Sequence, residues 1–176
     1  MISLDALLNE EEDLNLETEH GGERGIPYPQ ANSLSVVLQV VLTLRDVGMS
    51  VYELVATGIV NNSRQARYYY NAAAFLGYCF RRGDFFYPTE LADVVKRAPE
   101  SKRAEVFAGL SLACPKIAEL YVGVFRHSCR SERLDWLRTR IASREGTKAM
   151  ATLERRATCM LGWIAWIQKT LPMVKD

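Results

Sequence analysis

The alternation of apolar and polar positions predicts a series of short helices interrupted by one hairpin. Val36, Val37, Val40, Val41 and Leu44 recur at helical spacing behind Ser33, which predicts a first helix over residues 33–46, closed by Gly48. Ser50 followed by Glu53 three residues on is a capping-box pattern. It opens a second helix that carries Val51, Leu54 and Val55 and stops at Gly58. Ile59-Val60-Asn61-Asn62 reads as a tight turn, and Ser63 opens a third helix that runs to Gly77. Helix, short helix, turn, longer helix is the helix-turn-helix plan. Two aromatic-rich runs, residues 78–81 and 85–88, then flank Arg82-Gly83-Asp84 and predict a β-hairpin. A hairpin straight after the third helix is a wing. The expected fold is therefore mainly α with a small β-hairpin, a winged helix-turn-helix.

Beyond the wing the pattern is helical throughout. Thr89 is placed to cap a helix with Leu91, Val94 and Val95 inward. Residues 98–102 form a polar break. Strongly apolar helices follow over residues 103–114 and 115–125, read as core scaffold or as the interface of a homo-oligomer. Residues 131–142 form a basic amphipathic helix, broken at Gly146, and the last helix spans residues 152–170. Laid over the third helix with an offset of 91, this last helix puts Ala157, Met160, Leu161, Ile164 and Ile167 on Ala66, Tyr69, Tyr70, Ala73 and Leu76. Trp166 falls on Phe75. Such a match suggests two units in tandem, the second a degenerate helix-turn-helix without a wing. The expected division is a tail over residues 1–30, a winged unit over 31–98 and a helical second unit over 99–176.

The third helix carries the candidate chemistry. At about 100° per residue, Ala66, Tyr69, Tyr70, Ala73 and Leu76 share one face. Arg64, Tyr68, Asn71 and Phe75 share the other, with Arg67 on the flank. Arginine takes guanine, and asparagine adenine, through paired hydrogen bonds in the major groove. Ser63, Arg64, Arg67, Tyr68 and Asn71 are accordingly the expected contacts, joined by Arg81 and Arg82 at the hairpin tip. Arg155 and Arg156 of the last helix would add phosphate contacts. Phe75 should avoid water and pack on the C-terminal half.

Charge changes this picture in one respect. The net charge of +1 conceals a division. Residues 1–30 hold eight carboxylates and one base, for −7, whereas residues 31–176 hold 21 bases and 13 acids, for +8. Sixteen of the 22 bases are arginine, which grips phosphate bidentately. A basic body fits nucleic acid. The acidic tail reads as a solubilising segment, or as one that lies over the basic face and competes with DNA.

Other chemistry is poorly supported. A metal-dependent nuclease needs clustered carboxylates with a lysine, and Asp84, Glu90 and Lys96 lack the short spacing. No phosphate-binding glycine loop occurs, and two histidines leave little for nucleophilic catalysis. Cys79, Cys114, Cys129 and Cys159 are scattered without a C-x-x-C pair, so reduced thiols and no metal are expected. No apolar run reaches membrane-spanning length and no secretory leader is evident, so the expectation is a cytoplasmic protein without enzyme activity or cofactor.

The run Arg64-Gln65-Ala66-Arg67-Tyr68-Tyr69-Tyr70-Asn71-Ala72-Ala73-Ala74-Phe75-Leu76-Gly77 resembles the R-Q-x-x-Y-Y-x-N-A-A-x-x-L-G signature of winged-helix modules in prokaryotic restriction-type proteins. Arg155-Arg156-Ala157 with Trp163 and Trp166 resembles R-R-A-x-T-x-x-x-W-x-x-W, with Thr158 one place early. In outline the likeness covers residues 33–170. It implies a role on double-stranded DNA, as a specificity or regulatory component of a restriction or phage-defence system, beside a nuclease or ATPase subunit. The alternative is a protein–protein assembly module that uses the same surface without DNA.

Overall fold

The computed structural model describes residues 26–146 and 149–171. Helix α1 (Leu34–Thr43) is capped by Ser33, whose hydroxyl accepts from the Val36 N–H, and it buries Leu34, Val37, Val40 and Val41. Strand β1 (Met49–Ser50) follows, then α2 (Val51–Ala56), where Ser50 and Glu53 complete the expected capping box. Helix α3 (Ser63–Phe75) leads into β2 (Cys79–Arg82) and β3 (Phe85–Pro88). The hairpin is present as predicted, but β1 was not foreseen. It pairs antiparallel with β3, Met49 opposite Phe86, and makes a three-stranded sheet of order β1-β3-β2. Two residues are too few to show a strand period in sequence.

Helix α4 (Glu90–Arg97) differs from expectation in two details. Thr89 occupies the cap position, yet its hydroxyl donates to the Gly77 carbonyl at 2.6 Å and caps nothing. Val94 faces solvent, and Ala92 joins Val95 in the core instead. A 3-10 turn (Glu100–Lys102) fills the polar break. Helices α5 (Arg103–Ala113), α6 (Pro115–Val124), α7 (Arg130–Glu145) and α8 (Met150–Thr170) complete the fold. The α6–α7 contact is close: a Cβ at Gly123 would lie 2.0 Å from the Trp136 ring.

Helix α8 is the structural centre. It buries ten residues, among them Leu153, Met160, Trp163, Ile164 and Ile167, and packs on α1, α5, α6 and α7. One hydrophobic cluster runs through both halves, so residues 31–98 and the helices after them share a core. Phe75 meets Trp163 edge-on at 6.4 Å, which is the packing on the C-terminal half that its sequence position demanded.

The segment before α1 is also part of the body. Tyr28 and Pro29 are buried, although their Pro-rich context read as tail. The Tyr28 ring packs 5.4 Å from Phe75, and its N–H donates to the Glu145 carboxylate. The Ala31 carbonyl accepts from both Cys159 Sγ (2.9 Å) and Trp163 Nε1 (2.8 Å). The expected acidic tail, apart from residues 26–30, lies outside the described residues.

Burial has a measurable consequence at alkaline pH. It pushes the Cys79 thiol from 9.0 up to about 12 and raises Cys159, Tyr70 and Tyr78 in the same direction. The folded protein then holds protons that the unfolded chain releases, so this stability is complete below pH 9.0 and is lost as pH rises towards about 12. Denaturant titrations across that window should show the unfolding free energy falling, by at most about 1.4 kcal/mol per pH unit from Cys79. A flat profile would contradict the burial described here.

Candidate nucleic-acid interface

Helix α3 is locked from behind. Asn62 caps it, accepting from the Gln65 N–H at 2.9 Å, and Gln65 Oε1 in turn accepts from the Asn61 N–H at 3.0 Å. Ser63 is thus the first helical residue and not the cap. On the rear face Ala66, Tyr70 and Ala73 are buried, and towards the C-terminal end Ala72 and Phe75 are buried as well. Tyr70 stacks on Phe86 of β3 at 4.0 Å, and its hydroxyl donates to the Ser50 carbonyl at 3.2 Å. This one side chain therefore ties α3 to both the hairpin and the start of α2.

The opposite face presents the expected set. Arg64 and Arg67 are exposed, whereas Tyr68 and Asn71 are half-buried. Arg64 Nε donates to the Tyr68 hydroxyl at 2.9 Å, one helical turn away, and its guanidinium lies 5.6 Å from the Tyr68 ring centroid. The ring lines the arginine up along the helix. The Arg67 side chain has no hydrogen bond or ion pair among the described residues.

At the hairpin tip the two arginines differ. Arg81 Nε donates to the Gly83 carbonyl at 2.8 Å, and its guanidinium stands 3.6 Å from Asp84. Arg82 is exposed and forms no ion pair among the described residues. Of the pair, Arg82 is the freer to meet phosphate.

The last helix does not supply what sequence suggested. Arg156 is only 7% exposed, and its Nη1 is paired with Glu145. It is withdrawn from the surface and has to be removed from the contact set, because the guanidinium balances a buried carboxylate. Arg155 faces solvent, but on an element whose meeting point with α3, Trp163, is about two turns away. The arginines of α7 are largely neutralised: Arg138 pairs with Asp135 and Glu154, and Arg140 and Arg144 both pair with Glu119.

Sequence reading also passed over the outward aromatic side chains of the sheet, Phe80 and Phe85, which are 49% and 43% exposed. Strand alternation about the inward Phe86 would have indicated Phe85. Among the described residues no three His, Cys, Asp or Glu side chains cluster to hold a metal. No single helix there is long and apolar enough to cross a membrane.

The chain belongs to a family of unknown function, DUF7226, whose model matches residues 36–172. No curated protein and no solved structure matches it.

Proposed function

We propose that this member of a family without an assigned function binds double-stranded DNA, with α3 entering the major groove and the β2–β3 hairpin acting as a wing. The order α1, β1, α2, α3, β2, β3, with β1 closing onto β3, is compatible with that design. One observation carries the reading. A helix locked at its rear exposes Arg64 and Arg67 at its N-terminal end, and the hairpin stacked against it exposes Arg82. The placing of the protein in a restriction or phage-defence system, next to a nuclease or ATPase subunit, rests on the R-Q-x-x-Y-Y-x-N-A-A resemblance alone.

Salt-titrated fluorescence anisotropy tests it. Affinity for duplex should fall steeply with salt, because phosphate contacts release counterions. Arg67→Ala and Arg82→Ala should each weaken all duplexes and reduce the logarithmic salt slope by about 1. Arg81→Ala should do less, because Arg81 is already engaged by Asp84 and Gly83. Arg64→Ala and Asn71→Ala should in addition relax sequence preference, each bidentate contact being worth roughly 1–3 kcal/mol.

A second reading has its own observation. Tyr52 of α2 and Val47 are 76% and 77% exposed, which suits a protein partner. Absence of duplex binding at low salt, with a stable protein complex in its place, would favour that assembly role.

A further inference from the structure

Apart from Arg82 at the hairpin tip, the outer face of the sheet is not used by duplex binding through α3. Pairing sets Phe80 opposite Tyr87 and Arg82 opposite Phe85. Directly opposed residues share a face of a sheet, and neighbours along a strand alternate. These four side chains therefore lie on the side away from buried Phe86 and from α3. The Phe80 and Tyr87 rings are 21° from parallel, with centroids 5.6 Å apart. Tyr87 is seated against backbone: a Cβ at Gly48, where φ is +82°, would lie 2.8 Å from its ring.

Charge narrows the choice of occupant. Arg82 borders the rings without a carboxylate partner among the described residues, and Asp84 is turned to Arg81. Flat, nearly parallel rings beside a free guanidinium suit flat ligands on an anionic backbone. An apolar protein surface would leave the charge of Arg82 without a counter-ion, whereas a phosphate backbone supplies one. Unpaired bases stack on such rings whatever their sequence, and a nearby arginine follows the phosphates.

We propose that Phe80, Phe85 and Tyr87, with Arg82, form a stacking platform for unpaired bases, so that the preferred ligand is duplex DNA with an adjoining single-stranded segment. This deepens the duplex reading and rests on it. The platform borders the same hairpin tip.

The test uses the full chain and three labelled probes: a blunt duplex, the same duplex with a single-stranded thymidine extension, and the free thymidine strand. The extension is expected to tighten binding about tenfold. Phe80→Ala and Phe85→Ala should abolish that gain while blunt-duplex affinity stays unchanged, and Phe85→Trp should retain it. Equal affinity for the blunt and extended duplexes, or a gain that survives both alanine variants, overturns the platform and leaves duplex binding standing. Failure to bind any probe overturns both. Self-association of the chain that disappears in Phe80→Ala and Phe85→Ala, without an extension effect, would assign the face to a protein occupant instead.

Discussion

Trp163→Ala is expected to lower the unfolding free energy by about 3–5 kcal/mol, read from urea or guanidinium titration. Trp163 is fully buried at the centre of α8, where it meets Phe75 of α3. Removing it opens a cavity between the two halves of the core. The lost hydrogen bond matters less. The Ala31 carbonyl that accepts from the indole N–H also accepts from Cys159, so it is not left unpaired. Trp163→Phe keeps most of the volume, loses the donor and leaves a smaller cavity, and should cost about 1–2 kcal/mol. A cost for Trp163→Ala no greater than that for Trp163→Phe would show that the cavity term had been misjudged. Because Phe75 closes the C-terminal end of α3, the alanine variant should also weaken duplex binding without touching a contact residue.

Arg156→Ala is expected to cost about 3–5 kcal/mol, the range for breaking a buried ion pair by removing one partner. Glu145 is nearly as buried as Arg156 and, among the described residues, would keep only the N–H of Tyr28 as a partner. The double variant Arg156→Met with Glu145→Leu should recover part of this, since apolar replacement of a whole buried pair is often neutral. It should not recover all, because the Tyr28 N–H loses its acceptor. Arg156 Nε has no partner among the described residues, so the native pair is itself incompletely satisfied. Thermal and denaturant unfolding of the two variants decide the matter. Equal losses in both would place the cost in packing and not in charge.

What was legible in the sequence follows from the length scale of each signal. The first three helices, the hairpin and the later helices announced themselves through several turns of apolar spacing, through Ser33, Ser50 and Glu53 as caps, and through glycines at the turns. β1 escaped because two residues carry no period. Tyr28 and Pro29 escaped because a proline-rich stretch looks the same whether it is a linker or a strap held by distant residues. Arg156 was misplaced for a related reason. Its partner Glu145 sits on another helix, and no local pattern reveals that an arginine has an interior acid waiting. On α3 the angle placed Ala66, Tyr70 and Ala73 inside and Arg64 and Arg67 outside, but Tyr69 is only half-buried, and the burial of Phe75 was readable from its apolar ring and not from its angle.

The stack of Tyr70 on Phe86, together with the Met49–Phe86 pairing, makes the helix and the hairpin a single rigid gauge. Little conformational entropy remains to be lost at that joint when a ligand arrives. The same stiffness leaves no latitude for a groove of the wrong width. On the proposed duplex, such a gauge would discriminate by dimension before any side chain reads a base.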